Sequence, residues 1–420
     1  MIAHVLHTFG SRLLMATLSF VILLLNAQNL GAEGLGTVGL VVLNITVVVL
    51  LCNLVHGGLI YFSSRLNRGN LALIAYAWLL LSLAVYALVQ LIYPLLEAQF
   101  LIHIYGLGFL QAAAGIHAYF LLGKERIKVY NLISLVQIIL LTAFLFIGFY
   151  FFQKKEVLFY IQGLYLSYGI NYLLAFFFSL KELQTPSFKQ LYSDFKSCLH
   201  YGFYSQAANT FQLLNYRISY FFLDSFSGRT ALGHYTAGVQ LSEALLLPGR
   251  SISTVQYARI SRRKNEQYAR QVSIFFMKIS WLITLLGTLM VLLVPSQWFQ
   301  FVLGEEFGVV KTLILYMSLG IVALSAEIVI SHYFSGTGRV KVNLSSAAIG
   351  FAVTLVACYF LIAPFGAVGA ALSTAFSYSA MFLFLFLKMN YRSGLSWSLL
   401  LPQKRDFQLI RRLFSRLRKN

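Results

Sequence analysis

Two polar stripes in otherwise apolar sequence are the first candidates for chemistry in this chain. They lie on either side of a short turn predicted at residues 224–230, and their polar residues recur at steps of three or four, the spacing of one helix face. The first stripe comprises Ser205, Asn209, Gln212, Tyr216 and Tyr220, with Arg217 on its flank, and the second comprises Gln240, Glu243, Arg250 and Thr254, with Leu247 completing it. Ionisable groups in a membrane segment usually face a bundle interior or a water-filled cavity. The pattern therefore predicts a membrane bundle with a polar, partly charged interior.

A few residues outside these stripes complete the candidate chemistry. Arg12, Ser19 and Asn26 are spaced by seven in the first apolar segment, so they share one face of a helix. A guanidinium group binds phosphate oxygens bidentately, so these arginines suit an anionic headgroup. The candidate substrate-binding residues are Arg12, Asn26, Asn209, Gln212, Tyr216, Arg217, Gln240 and Arg250. The candidate ion-coupling carboxylates are Glu243 and Glu327, and we assign no catalytic residue and no metal ligand.

Each of these ionisable residues also has a structural interpretation. Arg12 and Arg250 lie within about two turns of a predicted span end, from which a long side chain can reach the interface. Arg217 lies deeper, and its structural partner would be Asp224 or Glu243. The buried glutamates would then be paired or simply protonated. The scattered histidines fit polar packing or interfacial positions.

The composition is that of a membrane protein. Of the 420 residues, 59% are hydrophobic and 11% are charged, and the mean hydropathy is +0.75, whereas soluble domains have about 25% charged residues. The net charge of +19 does not indicate nucleic-acid binding, because the basic residues lie between apolar blocks and in the tail. The three cysteines are isolated, and neither a HExxH nor a P-loop motif occurs. We therefore expect no disulfide, metal, cofactor or ATP-hydrolysing domain.

Apolar blocks of about 20 residues recur along the chain, and each is long enough to cross about 30 Å of hydrocarbon. They predict an all-α integral membrane protein with about twelve transmembrane helices. Lys and Arg concentrate in alternate loops, which by the positive-inside rule places both termini in the cytoplasm. The predicted spans are 9–30, 38–62, 71–93, 100–122, 129–152, 157–180, 199–223, 231–256, 272–294, 309–334, 342–363 and 366–388.

Three short matches indicate duplication of a six-helix unit. Gly31 and Gly36 match Gly228 and Gly233 at an offset of 197, Pro94 matches Pro295 at 201, and residues 126–129 match 339–342 at 213. Two parallel copies of this kind hold substrate between them and alternate access by rocking. We predict an N-terminal lobe at 1–180, a cytoplasmic amphipathic linker at 181–198, a C-terminal lobe at 199–390 and a basic cytoplasmic tail at 391–420. The linker and tail suit helices lying on an anionic leaflet, and a solvated basic tail is the alternative.

Short motifs near several span ends resemble those of the Wzx-type polysaccharide flippases. They are Asn29-Leu-Gly31-Ala-Glu33-Gly-Leu35-Gly36 after an Arg-containing first span, Leu232-Gly233-His-Tyr235 leading to Leu241-Ser-Glu243 and Pro248, Leu303-Gly304-Glu305-Glu306-Phe307, and Gly338-Arg339-Val-Lys341. The resemblance covers nearly the whole chain. These flippases belong to the multidrug/oligosaccharidyl-lipid/polysaccharide exporter superfamily, with the MATE antiporters and the lipid II flippase. The resemblance implies two six-helix lobes around a central cationic cavity, with Arg12 matching the arginine common in their first span.

The resemblance implies a transporter and not an enzyme. Its substrate would be undecaprenyl-pyrophosphate-linked oligosaccharide, moved from the cytoplasmic to the periplasmic leaflet of the bacterial inner membrane for surface polysaccharide such as O-antigen. The implied partners are membrane lipids and, in the same assembly, a polysaccharide polymerase and a chain-length regulator, and the transporter is expected to be a monomer. The lipid II flippase has extra helices for the lipid tail, and the chain stops after twelve spans and a basic tail, which argues against that subfamily.

An ion-coupled multidrug or metabolite antiporter of the MATE type is the main alternative. A pump for cationic drugs should have a net acidic cavity, whereas the candidates in this chain are net basic. A glycosyltransferase or polymerase would need a catalytic acid or base in a sizeable outer loop, and no such loop surrounds Glu305 and Glu306. A non-transporting assembly partner for surface-polymer enzymes is a further alternative, which the buried charged stripes make less economical.

Overall fold

The structure of this chain is a computed structural model. The residues that it describes are mainly helical and contain no strand. It describes the backbone of residues 2–63, 65–92, 96–124, 126–262 and 265–390, and their side chains except at 2–9, 11–12, 201, 204–205, 207–209, 254–255, 258–259 and 261–262. The α-helices are α1 (Ile2–His56), α2 (Leu59–Phe62), α3 (Arg68–Ile92), α4 (Ala98–Gly123), α5 (Ile127–Tyr150), α6 (Val157–Ser179), α7 (Leu191–Ala244), α8 (Leu247–Arg262), α9 (Glu266–Leu293), α10 (Ser296–Leu303), α11 (Val310–Gly336) and α12 (Val340–Asn390). Short 3-10 turns lie at Leu180–Glu182, Phe188–Gln190 and Glu305–Val309.

In the described part of the chain, eight helical segments are long and apolar enough to cross a membrane. Two of them, Leu13–Phe62 and Val340–Asn390, contain 50 and 51 residues. A straight helix of that length would measure about 75 Å, more than twice the thickness of about 30 Å of hydrocarbon. Each of these two segments therefore holds two spans. The predicted all-α, multi-pass membrane fold is confirmed, and the cytoplasmic location of the termini stays a prediction.

Single glycines, and not loops, separate the paired spans. Gly31 in α1 (φ 67°, ψ −173°), Gly228 in α7 (φ 80°, ψ 177°) and Gly366 in α12 (φ 53°, ψ −130°) are non-helical inside otherwise continuous helical runs. The chain changes direction at Gly228, inside the turn predicted at residues 224–230, but the turn is shorter than predicted, because the helix continues on both sides of that one residue. Glycine reaches a positive φ without a steric penalty, so one residue is enough to break the helix and redirect the chain.

The glycines at 36 and 233 mark a close backbone crossing. A Cβ on Gly36 would lie 2.1 Å from the carbonyl oxygen of Arg229, and a Cβ on Gly233 would lie 1.7 Å from the carbonyl oxygen of Ala32. Positions 32 and 229 are related by the same offset of 197 as the glycines. The two contacts are therefore reciprocal, as an internal repeat requires, and only glycine allows the backbones this close.

The third predicted repeat match also has the same backbone geometry in both copies. The N–H of Arg126 donates to the carbonyl of Leu121 at 2.9 Å, and the N–H of Arg339 donates to the carbonyl of Phe334 at 2.8 Å. Both bonds close the C-terminus of a helix in the manner of a Schellman motif. These equivalent helix ends, at the predicted offset of 213, support the duplication.

The chain divides into two compact units. The first consists of residues 1–213, 220–240 and 297–308, and the second consists of residues 214–219, 241–296 and 309–420. In the first unit, α4 packs on α1, α3 and α6, and α5 packs on α1 and α6. In the second unit, the largely buried α11 packs on α8, α9 and α12. The predicted lobe boundaries remain predictions, and the tail at 391–420 lies outside the described residues.

The predicted linker is fixed to the start of α3. The Nδ2 of Asn70 donates to the carbonyl of Ser187 at 2.9 Å and to Asp194 Oδ2 at 2.8 Å, while its Oδ1 accepts from the Ser187 N–H at 2.7 Å. Arg68 pairs with Glu182 beside it. These bonds hold the linker in one orientation and satisfy the buried Asp194.

That orientation exposes the aromatic side chains of the linker. Phe188 is 76% exposed and Tyr192 is 80% exposed, and Lys189 and Lys196 are exposed near them. Aromatic and basic side chains together are typical of a surface that contacts anionic lipid. Attachment of the linker to the cytoplasmic leaflet remains a prediction.

Candidate functional site

An ion pair between Arg217 and Glu243 is the central feature of the candidate site, and it lies in the second unit. Arg217 Nη2 is 3.4 Å from Glu243 Oε1, and the two side chains are 29% and 28% exposed. Both belong to α7, where a straight helix would separate them by about 39 Å. The break at Gly228 is what brings them together. The sequence predicted Asp224 or Glu243 as the structural partner of Arg217, and the structure pairs it with Glu243.

The separation of these two atoms is long for a charge-assisted hydrogen bond, which is usually 2.7–2.9 Å. Because both side chains are also partly exposed, solvent and ions screen the pair. An anionic ligand can therefore compete with this weakened ion pair at Arg217.

Asn215 on α7, the residue before Tyr216, is held by a cluster of buried polar side chains in the second unit. Asn215 Nδ2 donates to Met381 Sδ at 2.9 Å, and its Oδ1 accepts from Ser377 Oγ at 2.7 Å and from Thr354 Oγ1. The Tyr216 ring meets the Tyr378 ring edge-on at 5.3 Å. Asn215 thus attaches this part of α7 to both halves of α12.

The other predicted residues of the second unit are Arg250 and Glu327. Arg250, near the start of α8, is exposed. Glu327 on α11 is 3% exposed, and its Oε2 has no hydrogen-bond partner within the described residues. A carboxyl group in that position is stable when it carries a proton or gains a cation. The structure therefore gives the two ion-coupling candidates different environments.

The remaining predicted residues belong to the first unit. Asn26 on α1 is 2% exposed, and its Oδ1 has no partner among the described residues. Gln212 is half-buried and Gln240 is exposed. The side chains of Arg12 and Asn209 lie outside the described residues. The predicted set is thus divided between the units, and within the second unit the fold brings Arg217 together with Glu243.

Acidic groups surround the breaks at Gly31 and Gly228 in the first unit. Glu306 Oε2 accepts from the N–H of Ala32 at 3.3 Å, which caps the helical segment that follows Gly31. Arg229 binds Asp224 at 2.5 Å and lies 3.9 Å from Glu97. Burial raises the pKa of the Asp224 carboxyl, and the Arg229 guanidinium opposes that shift. Asp224 thus forms its ion pair with Arg229 and not with Arg217.

Sequence reasoning missed a hydrogen-bonded group around His117 in the first unit. The His117 Nε2 lies 2.8 Å from the Tyr76 hydroxyl, and its Nδ1 lies 2.8 Å from Ser179 Oγ. Tyr76 also lies 3.3 Å from the Tyr172 hydroxyl. These residues come from α3, α4 and α6, and no spacing in the sequence relates them. No group of three or more potential metal ligands occurs within the described residues.

The comparisons with known proteins agree with this architecture. A family model described as MatE matches residues 206–360, which is less than half of the chain. The search of curated protein sequences gave no match. Among solved structures, the lipid II flippase MurJ in an inward closed conformation has a TM-score of 0.74 at 14% identity, over 92% of this chain and 87% of that one.

Two further solved structures have the same fold over nearly all of this chain. A multidrug resistance MATE family transporter of the MOP superfamily, in an inward-facing conformation, has a TM-score of 0.68 at 15% identity, over 90% of this chain and 94% of that one. A MOP superfamily transporter from Pyrococcus furiosus has a TM-score of 0.63 at 16% identity, over 93% and 95%. The chain is therefore a multi-pass membrane protein with the MATE fold.

Proposed function

We propose that this protein is a flippase for undecaprenyl-pyrophosphate-linked oligosaccharide in the bacterial inner membrane. It moves the repeat unit from the cytoplasmic to the periplasmic leaflet by alternating access through a cationic cavity, for surface polysaccharide such as O-antigen. The pyrophosphate and sugars occupy the cavity while the prenyl chain stays in lipid. The protein works as a monomer beside a polysaccharide polymerase and a chain-length regulator.

The main support for this proposal is the positive sign of the solvent-accessible charge among the candidate residues of the second unit. Arg250 is exposed and Arg217 is partly exposed, whereas Glu243 is engaged by Arg217 and Glu327 is buried. Because the Arg217–Glu243 pair is neutral as a whole and Glu327 is shielded, the exposed Arg250 gives these four residues a net positive accessible charge. Such a surface favours an anionic headgroup and disfavours a cationic drug.

One of the two structural neighbours below supports a lipid-linked substrate, and the other concerns the polarity of the binding pocket. One is a flippase for lipid II. The other, from Pyrococcus furiosus, is described as having a binding pocket of reverse polarity that suggests a different function. The fold is therefore not confined to multidrug transporters.

The test is transport in proteoliposomes that contain the full chain. A polyprenyl-pyrophosphate oligosaccharide is compared with a cationic dye, for wild type, Arg217→Ala and Arg250→Ala. Loss of a charge-assisted contact of about 2 kcal/mol should raise the half-saturating glycolipid concentration at least about tenfold in each variant. Arg65→Ala, which removes an exposed arginine stacked on Tyr61, is the matched control and should transport like wild type.

Dye transport without glycolipid movement would reverse this assignment. It would favour the ion-coupled antiporter of the MATE type, which the multidrug transporter among the neighbours represents. The buried Glu327 is the feature of this chain that suits such an antiporter, because a shielded carboxyl group can exchange a proton or cation during the cycle.

Ion coupling through the glutamates is a separate prediction. Glu327→Gln should abolish the stimulation of glycolipid transport by an ion gradient, because an amide cannot exchange a proton or bind a cation by charge. Glu243→Gln should have the same effect if the pair with Arg217 opens in each cycle. Gradient-dependent transport that persists in both single variants would remove these residues as sole coupling sites.

A further inference from the structure

Two arginines meet at the ends of α9, α11 and α12 in the second unit. Arg270 lies near the start of α9, Arg339 lies between α11 and α12, and Asn390 ends α12. The residues next to Arg270 and Asn390 belong, with the Tyr333 ring, to one apolar cluster, which holds these side chains at its edge. The positive-inside rule assigns these helix ends to the cytoplasm.

Arg270 has a neutral partner at this position. Its Nη2 donates to Asn390 Oδ1 at 2.7 Å, and the Asn390 amide donates to the carbonyl of Phe386 at 2.9 Å. Asn390 is fully buried, whereas Arg270 is partly exposed. The Nε of Arg270 has no hydrogen-bond partner within the described residues. Because an amide carries no charge and one N–H stays unpaired, the bond to Asn390 does not fully compensate the guanidinium group.

Arg339 is held beside Arg270 by a weak ion pair and a hydroxyl group. Its Nη2 donates to the Tyr333 hydroxyl at 2.6 Å and lies 2.9 Å from Glu266 Oε1. Tyr333 also interacts electrostatically with Arg270, so both arginines lie near one hydroxyl group. The Arg339 and Glu266 side chains are 36% and 61% exposed, and an ion pair so exposed is screened. In the described part of this cluster, two cations thus share one exposed acid.

The corresponding arginine of the first unit has an acidic partner. Arg68 at the start of α3 pairs with Glu182, which follows α6. In the predicted duplication, the spans in α3 and α6 correspond to those in α9 and the second half of α12. In both copies an arginine at the start of the third span therefore binds a group at the end of the sixth. The second copy has the amide of Asn390 where the first has a carboxylate.

The surrounding sequence adds positive charge to these helix ends. Four basic residues and no acid lie between positions 259 and 264, namely Arg259, Arg262, Arg263 and Lys264. A guanidinium group binds phosphate oxygens bidentately. Basic pockets between span ends on the cytoplasmic side bind anionic headgroups. A phosphate group therefore has the charge and the hydrogen-bond acceptors that this cluster lacks.

We propose that Arg270 and Arg339 form a binding site for a phosphate group at these helix ends. The phosphate oxygens accept hydrogen bonds from both guanidinium groups, and the phosphate displaces the exposed Glu266 from Arg339. It supplies to the second unit the negative charge that Glu182 supplies to the first. The phosphate is carried by the headgroup of an anionic phospholipid or is free in solution, and no covalent bond changes. The inference does not rest on the proposed transport function.

The first test is native mass spectrometry of the full chain in detergent, titrated with phosphatidylglycerol. Arg270→Gln and Arg339→Gln should each raise the dissociation constant of one tightly retained lipid at least about tenfold, because each removes a charge-assisted hydrogen bond. Phosphatidylcholine with the same acyl chains has no net charge and should bind wild type and variants alike. The matched control is Arg65→Gln, which removes an exposed arginine stacked on Tyr61 in the first unit and should bind like wild type.

Inorganic phosphate distinguishes the two sources of the ligand. Phosphatidylglycerol binding that inorganic phosphate does not displace would identify a lipid headgroup. Inorganic phosphate that raises the melting temperature of wild type but not of Arg270→Gln, without retention of phosphatidylglycerol, would identify free phosphate. Either result would support a phosphate site.

Asn390→Asp is the second variant, because it gives this cluster the carboxylate that the first unit has. The new carboxylate should pair with Arg270 and leave the melting temperature near that of wild type, while the affinity for the phosphate ligand should fall at least about tenfold. Wild-type affinity for both phosphatidylglycerol and inorganic phosphate in Arg270→Gln, Arg339→Gln and Asn390→Asp would overturn the proposal. If the arginine variants do not fold, wild-type affinity in folded Asn390→Asp would be enough to overturn it.

Discussion

Alanine at Gly233 should strongly destabilise this protein, because the backbone crossing leaves no room for a methyl group. The new Cβ would lie 1.7 Å from the carbonyl oxygen of Ala32 and 2.6 Å from its carbon, and both are backbone atoms. Neither atom can move without shifting a helix, so we expect a destabilisation of about 3 kcal/mol, the upper part of the range for overpacking. The melting temperature by intrinsic fluorescence should fall by several degrees, and glycolipid transport should fall with it.

The internal repeat supplies a second variant for this prediction. Gly36→Ala should act in the same direction, because its Cβ would lie 2.1 Å from the carbonyl oxygen of Arg229. Gly115→Ala is the matched control, since a Cβ at this position in α4 meets nothing within 4 Å. It should be neutral or slightly stabilising through the higher helix propensity of alanine. Equal melting temperatures for Gly233→Ala and Gly115→Ala would mean that the crossing is absent from the working protein.

Replacing Asn215 should have the next largest effect, and it should separate positioning from stability. Asn215→Ala removes three buried hydrogen bonds with Met381, Ser377 and Thr354 and leaves a cavity between α7 and α12. We expect a loss of about 2 kcal/mol, because polar contacts in membrane bundles average less than 1 kcal/mol each and the cavity adds to them. Asn215→Asp should be worse, since it places a carboxylate oxygen against the Met381 sulfur.

The readout that identifies a positioning role is the apparent affinity for glycolipid. Arg217 lies two residues after Asn215, so release of α7 from α12 should raise the half-saturating concentration in Asn215→Ala even at a temperature where the variant is folded. Asn29→Ala is the control, because the Asn29 amide donates to the carbonyl of Leu25 one turn back in its own helix. If both variants keep wild-type affinity, Asn215 is a packing residue only.

The fold class followed from the sequence because bilayer thickness sets a length and a polarity for every span. Hydropathy alone located the apolar blocks, including the two in each of α1 and α12. The repeat was also visible, because the glycines at 31 and 228 have a positive φ, which restricts the residue type, and the helix ends at 126 and 339 form equivalent hydrogen bonds.

The length of the connection between paired spans was predicted less well than its position. A run of polar residues at 224–230 reads as a turn, yet the chain is helical there except at Gly228. Local patterns cannot distinguish a loop from a single break, because the same small and polar residues suit both. The helical hydrogen bonds on either side of the glycine satisfy the backbone, so a longer loop has no advantage in a membrane.

The sequence alone established which residues are unusual, and the tertiary structure alone established their partners. An arginine in an apolar helix must be paired or must face water, and that rule singled out Arg217 without choosing between Glu243 and Asp224. The choice depended on the direction that the chain takes after Gly228. The hydrogen-bonded group around His117 is the clearest case, because Tyr76 and Ser179 lie 41 and 62 residues from His117 and meet it only through the packing of α3, α4 and α6. Spacing within one helix is encoded locally, whereas contact between helices depends on how every side chain along their interface packs.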